Sequence, residues 1–332
     1  MKHNLEIQRA GPEHRPRFFI ATALLWCIFI LSMAPGMLQA RVIAVLKSDD
    51  LAAYSAPIES FTQAINARVV TYDLGGDLEK GKQIAQQLAQ VPPDLILALG
   101  AKAAYSARKY ITQVPVVYAM VLNPEKYQLT QPNMTGITIE IPPETVFTQY
   151  RMFAPEISRV GVIYGTATEE LVKRAEKAAS SLGILLVRAQ VADPREVGEA
   201  FDRIRDMIDS LWMVPDTTVL TEETFRLLLQ KTKSRKIPYL AYSDNFVKAG
   251  AFVSVSPDYR TIGSQAASIA RQILDDKTSP AAIPPAPPIG THLTVNLQTA
   301  KALDLHLDPL VMAFADEIIG ERPAERSTHD KP

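Results

Sequence analysis

Cysteine is all but missing from this sequence. The single one, Cys27, lies inside an apolar run near the N-terminus. Trp26 precedes it, where a lipid-attachment signal needs Gly or Ala, so Cys27 is not read as a lipidation site. Without that run the chain has no thiol. Disulfides, cysteine nucleophiles and thiolate metal sites are then excluded together. Histidine is sparse as well. His3, His14, His292, His306 and His329 are scattered, and no spacing suits a metal. Neither a metal nor a cofactor is expected. An excess of charge of one sign is also lacking. The net charge is −1, with none of the basic surplus that marks a nucleic-acid binder, so no nucleic-acid partner is expected. No Gly-x-Gly-x-x-Gly fingerprint, Walker phosphate loop or Gly-x-Ser-x-Gly elbow is present, and the chain is not read as an enzyme.

What is present begins with an N-terminal leader. Lys2, Arg9, Arg15 and Arg17 precede the uncharged apolar run Phe18–Met33, which Pro35 and Gly36 end. A basic region, an apolar core and a small residue at Ala40 read as a secretory signal over residues 1–40, and so as a periplasmic protein. The alternative is a retained membrane anchor, although the run is shorter than the roughly 20 residues a bilayer span needs.

From Arg41 onward the chain alternates. Strands are expected at Arg41–Leu46, Val69–Tyr72, Asp94–Gly100 and Pro115–Val121, with helices at Ala56–Ala67, Leu78–Gln90 and Ala101–Tyr110 between them. Continuously apolar strands alternating with helices imply a parallel sheet covered on both faces. Asn123–Pro143, rich in proline, interrupts the rhythm and reads as a crossing between lobes, with one strand-like piece at Thr135–Ile139. The rhythm then restarts: helices at Thr145–Phe153, Glu169–Leu182, Arg195–Ile208 and Thr221–Lys233, strands at Val160–Tyr164, Ile184–Arg188, Leu211–Val214 and Tyr239–Tyr242. The fold class is therefore α/β, with two doubly wound parallel-sheet lobes.

The stretch Lys236–Leu274 carries the chain from one lobe back into the other. It holds the strands Tyr239–Tyr242 and Ala251–Val255, then a helix capped by Asp258, with Ile262, Ala266, Ile269 and Ile273 at the spacing of a buried face. A Pro-rich connector, Ser279–Pro288, leads to a strand at His292–Val295 and a short helix at Leu297–Leu303. A final helix is expected from Asp308-Pro309 to about Ile319, with Leu310, Phe314 and Ile318 apolar. The polar tail 321–332 is expected to be disordered.

Ligands of open α/β sheets sit beyond the carboxyl ends of the strands. On the first lobe that rule selects Ser48, Asp49 and Asp50, then Gly100, Ala101, Lys102 and Ala103, then Met120 and Asn123. On the second it selects Tyr164, Gly165 and Thr166, then Asp216 and Thr217, then Tyr242. Gly100-Ala101-Lys102 opens a helix and offers backbone N–H groups to a carboxylate, or is simply a tight turn that needs glycine. Asp49, Asp50 and Asp216 either meet an ammonium group or cap helices. Tyr164, Tyr242 and Tyr118 offer flat apolar walls or pack in the core. The charges Glu169-Glu170, Lys173-Arg174 and Glu176-Lys177 read as a solvated helix face.

Several segments resemble one known family. They are Pro115-Val116-Val117-Tyr118-Ala119, Asn123-Pro124 and Asn133-Met134-Thr135-Gly136-Ile137, then Arg159-Val160-Gly161-Val162-Ile163-Tyr164 and Val214-Pro215-Asp216-Thr217, then Gly250-Ala251, Pro257-Asp258-Tyr259 with Gly263, and Val295-Asn296-Leu297. Their order and spacing resemble ABC-transporter solute-binding proteins of the amino-acid type. The resemblance implies a periplasmic binding protein type 1-like fold, two lobes joined by a three-crossing hinge. It also implies a small-molecule ligand, such as an amino acid, taken between closing lobes and presented to an ABC permease in the inner membrane. The alternative is a ligand-sensing subunit that signals to a membrane sensor kinase or receptor. On this reading residues 41–122 with 244–288 form the first lobe, and 123–243 with 289–320 the second. Asn123 stands where the family usually has aspartate, and Gly165-Thr166 where many members have asparagine and proline.

Overall fold

The computed structural model describes residues 40–320; residues 1–39 of the leader and the tail 321–332 lie outside the described residues. Two sheets organise the chain. The first contains β1 (Val42–Lys47), β2 (Arg68–Asp73), β3 (Leu95–Leu99), β4 (Val116–Val121) and β5 (Met134–Thr138) in the order β2-β1-β3-β4-β5, every pair parallel. The second contains β6 (Arg159–Tyr164), β7 (Leu185–Gln190), β8 (Ser210–Trp212), β9 (Tyr239–Ala241) and β10 (Val253–Pro257), extended by β11 (Thr291–Asn296) and β12 (Glu317–Ile319). Its order, read from the far edge, is β7-β6-β8-β9-β10-β11-β12. Strands β6 to β10 thus repeat the order of β1 to β5, and the two lobes are copies of one architecture.

Each sheet is buried on both faces, as continuously apolar parallel strands require. Ile43, Val45, Leu97, Leu99 and Val117 face one core of the first sheet, and Ala44, Leu46, Ile96, Ala98 and Tyr118 the other. The second sheet has its own pair of cores, around Phe147, Val162 and Phe252 on one face and Phe201, Leu211 and Tyr239 on the other. Helices start where side chains satisfy their first N–H groups: Asp77 accepts from Glu79 N, Thr221 and Thr224 form a capping box, and Asp258 accepts from Arg260 N.

Three crossings join the lobes. The first runs from β5 to helix Pro143–Phe153, the second from β10 to helix Tyr259–Leu274, the third from Ala286 to β11. They lie side by side. Ala286 exchanges hydrogen bonds with β5 through Thr138 N and Gly136 O, and Asp258 N donates to Gly290 O.

The division between lobes differs from the one expected at two places. The sequence pattern places Thr135–Ile139 in the second lobe and Ala251–Val255 in the first; β5 pairs with β4 of the first sheet and β10 with β9 of the second. The rhythm of apolar residues marks a strand but carries no information about its partner. The second sheet is also not wholly parallel, because β11 runs antiparallel to β10. At the C-terminal end the expected helix to Ile319 is a four-residue turn, Pro309–Met312, followed by β12. Leu310 is 77% exposed and Phe314 61% exposed, so neither faces the core. Val311, Met312 and Ala315 pack inward instead.

Helix Tyr259–Leu274 lies directly on helix Ser55–Ala64. The Ser60 hydroxyl donates to Arg260 O at 2.7 Å, and Arg271 donates to Ala64 O at 3.0 Å. Gly263 sits at the closest approach: a methyl group there would stand 2.2 Å from Pro57 O and 2.1 Å from Ser60 Oγ. Gly263→Ala is therefore expected to lower stability by about 1–3 kcal/mol through overpacking, read as an earlier urea midpoint with an unchanged slope. An unchanged midpoint would show that the contact yields freely.

Candidate functional site

The carboxyl ends of the strands in both sheets carry the loops picked from the sequence, and two polar clamps shape them. On the first lobe the Ser48 hydroxyl donates to Leu99 O and accepts from Ala103 N, both at 2.9 Å. It ties the loop after β1 to the start of helix Ala101–Tyr110. Gly100, with φ +83°, makes the turn between them, and a methyl there would meet the Tyr54 hydroxyl at 2.1 Å. Lys102 Nζ donates to Gly76 O at 2.6 Å. A methyl on Gly76 would lie 3.1 Å from Asp49 Oδ2 and 3.4 Å from Lys102 Nζ, so a carboxylate and an ammonium flank this glycine. Ser48, Asp49, Gly100, Ala101 and Lys102 thus come together. Asp50 points away, exposed and paired with Lys47.

On the second lobe the clamp is Asp216. Its carboxylate accepts from Gly165 N and Thr218 N, each at 2.8 Å, and from the Thr168 hydroxyl. Only 1% of the residue is exposed. Burial pushes its pKa up, but these hydrogen bonds outweigh burial and hold the carboxyl below its usual value. Thr166 and Thr217 are exposed beside it. Tyr164 is buried among Val162, Leu171 and Val172, in the core and not in a wall of the gap.

Met120 and Asn123 share an unexpected feature. Both adopt left-handed backbone, φ +58° and +50°, and the β4–β5 register shifts between Ala119 and Val121. Asparagine tolerates this conformation, methionine poorly. Asn123 is exposed and lines a cavity of about 490 Å³ together with Leu122, Glu125 and Lys126 of the first lobe. Ala167, Thr168, Glu170, Leu171, Arg174 and Pro215 of the second lobe form the facing wall. An adjoining cavity of about 460 Å³ shares Asn123, Glu125, Glu140 and Arg174 and reaches the crossings at Pro142, Pro143 and Pro287. Tyr118 borders it. Its ring is buried, and burial, with the Glu125 charge adding to it, pushes the phenol up to about 12.

Tyr242 is half-buried against the second-lobe core and meets Phe246 edge-on, ring centroids 5.2 Å apart. Burial raises the Tyr259 phenol, and the Asp244 charge and the Tyr54 phenol add to the effect.

Sequence reasoning missed Tyr54, Asp244, Glu125, Lys126, Glu170 and Arg174. Glu125 and Lys126 follow Asn123-Pro124 directly, so a wider window at the end of β4 finds them. The charges of helix Glu169–Ser181 are only partly a solvated face. Lys173 pairs with Glu169 and Glu170 within the helix, but Arg174 reaches Glu140 in the first crossing.

A family model described as ABC transporter substrate binding protein matches residues 64–319. A curated relative, the tyrosine-binding protein of Clostridioides difficile (strain R20291), is 22% identical over 249 residues, covering 72% of this chain and 71% of that protein. Among solved structures, the ligand-free, open form of a substrate-binding protein with adhesive properties from Clostridium difficile superposes with a TM-score of 0.73 at 21% identity, over 85% of this chain and 100% of that one. A Streptococcus pneumonia ABC domain in complex with L-Trp superposes at 0.59 and 18% identity, over 84% of this chain and 100% of that one. At these identities the structural likenesses establish the fold: α/β, two sheets, of the periplasmic binding protein type 1 kind.

The Asp216 clamp has a pH signature. A carboxyl that titrates lower in the folded than in the unfolded chain contributes its full stability above the unfolded value, about pH 4, and loses it as the pH falls through the folded value. Melting temperature is expected to drop more steeply below about pH 4 in the wild type than in Asp216→Asn, which starts lower at neutral pH. Parallel acid limbs in the two proteins would contradict this.

Proposed function

This chain belongs to the family of ABC transporter substrate-binding proteins, and from that premise we propose that it captures an amino acid or a close relative between its two lobes and presents it to an ABC permease of the inner membrane. The observation that carries the reading is the pairing of two separately cored sheets whose strand ends meet across a gap, with only three adjacent crossings joining them. Such an arrangement closes by hinge motion. The open form exposes two half-sites, a ligand that touches both favours the closed form, and the closed population rises by the difference in affinity. No bond is made or broken in this work, so the chain is assigned no enzymatic activity. The leader 1–40 supports a periplasmic location, as a free protein when cut and an anchored one when retained.

The chemistry of the half-sites suits an amino acid. An α-amino acid carries one charge of each sign, and Asp49 and Lys102 present one of each around Gly76. Tyr242 and Tyr259 supply apolar surface with a polar tip on one flank. We assign ligand contact to Asp49, Lys102, Asn123, Thr166, Thr217 and Tyr242. Ser48, Gly100, Ala101 and Met120 are assigned to shaping the first wall, and Tyr164 and Asp216 the second. Asp50 is assigned to the rim with Lys47. The tyrosine-binding protein and the L-Trp complex among the relatives agree in class.

Binding to the folded state alone raises stability by about 2.7 kcal/mol at a hundredfold excess over Kd. In a chain of this size that is several degrees. Purified protein screened against the amino acids, L-tyrosine and L-tryptophan among them, is expected to show a saturable rise in Tm with at least one. Asp49→Ala and Lys102→Ala are each expected to weaken that ligand by about tenfold or more, since charge-assisted hydrogen bonds contribute about 1.5–3 kcal/mol. A flat response across the whole set would count against an amino-acid ligand.

A further inference from the structure

Asp216 stands in the loop after β8, next to Pro215 of the cavity wall, yet it is buried and has no freedom to meet a ligand. Both carboxylate oxygens are engaged, one by Thr218 N and the other by Gly165 N and the Thr168 hydroxyl. The donors come from two separate loops. Gly165 and Thr168 follow β6, and Thr218 follows β8. These loops touch closely: a methyl on Gly165 would lie 2.9 Å from Thr218 Cβ and 3.1 Å from Asp216 Oδ1. What the clamp holds is what the gap sees. Thr168 itself borders the cavity, and helix Glu169–Ser181 starts at the next residue and sends Glu170, Leu171 and Arg174 into the same wall.

The first lobe is built on the same plan. Its central pair of strand ends, after β1 and β3, is joined by Ser48, as the pair after β6 and β8 is joined by Asp216. The two sheets repeat one strand order, so these are equivalent places in the two lobes. The second lobe uses a charge where the first uses a hydroxyl. A carboxylate can gather three donors at once, and one hydroxyl cannot.

We propose that Asp216 is a positioning residue for ligand capture: it sets the Gly165–Thr168 turn and the start of the following helix in the shape that receives the ligand, and makes no contact with the ligand itself. The proposal rests on the binding function argued above. It differs from a salt-bridge role, in which the carboxylate meets an ammonium group across the gap. It differs equally from a purely structural role, in which the clamp matters for folding but not for the shape of the site.

Asp216→Asn separates the three. The amide keeps the shape but turns a donor toward N–H and O–H groups that need an acceptor. Three readings are taken on the purified protein: amide hydrogen exchange, Tm without ligand, and affinity for the amino acid found by thermal screening, measured where circular dichroism shows the variant fully folded. Positioning predicts exchange faster by about tenfold or more, confined to residues 165–171 and 216–220, a lower Tm, and affinity weaker by about tenfold or more, the scale of one lost charge-assisted hydrogen bond. Weakened affinity with unchanged exchange and Tm would overturn the proposal in favour of direct contact. Faster exchange with unchanged affinity would overturn it in favour of a folding role. If wild-type protein binds no amino acid, the function argued above fails. Exchange at Gly165 and Thr218 then decides the clamp alone, and unchanged exchange there overturns it.

Discussion

The contact between helix Tyr259–Leu274 and helix Ser55–Ala64 makes two lobes out of one chain. A parallel sheet needs cover on both faces. The first sheet is complete in strands by Thr138, but one of its faces lacks its full cover until Ile262, Ala266, Ile269 and Ile273 arrive from a helix more than a hundred residues later in the sequence. The second sheet is laid down in between. The chain must therefore leave the first lobe unfinished, build most of the second, return to cover the first, and cross once more to add β11 and β12. The three crossings follow from that order of construction. Gly263, where the returning helix comes closest to Pro57 and Ser60, is the point at which it meets the first lobe.

Each core is closed on its own sheet, and the gap between the lobes is lined by a mixture of apolar residues, among them Leu122, Leu171 and Pro215, and charged ones. Glu125 and Lys126 stand on one wall, and Glu170 and Arg174, paired with Lys173 and Glu140, on the other. The clamps at Ser48 and Asp216 stiffen the loops behind that surface. In the proposed capture, rigid half-sites on closing lobes would reduce the ordering cost to the motion of the hinge, which is how preorganisation raises affinity. Met120, whose left-handed backbone is strained for a methionine, is buried three residues before Asn123 of the cavity wall, and strain often accompanies function.

Much of this was legible in the residues themselves. The helices Leu78–Gln90 and Ala101–Tyr110 have the limits that periodicity and proline set, and Gly100 and Gly263 stand where the backbone tolerates nothing larger. Sheet membership was not legible for β5 and β10. Both lie next to a crossing, and strand pairing is a long-range choice that local pattern does not encode. The C-terminal segment misled because Leu310, Phe314 and Ile318 have helical spacing, whereas pairing with β11 draws Glu317–Ile319 into a strand. Asp216 was found by its position, but its burial depends on Thr168, which lies 48 residues away in the chain. The rim charges of helix Glu169–Ser181 looked like solvated pairs because their partner in the first crossing, Glu140, is equally remote in sequence.

Closure is the central claim, and the near absence of cysteine makes it directly measurable. Spin labels on cysteines introduced at Glu79 and Glu222, exposed residues in the first turns of helices on opposite lobes, report the width of the gap. Pulsed electron resonance should show the distance distribution shift to shorter values when a saturating amino acid is added. A distribution that stays unchanged while the same amino acid binds to saturation would contradict capture by closing lobes.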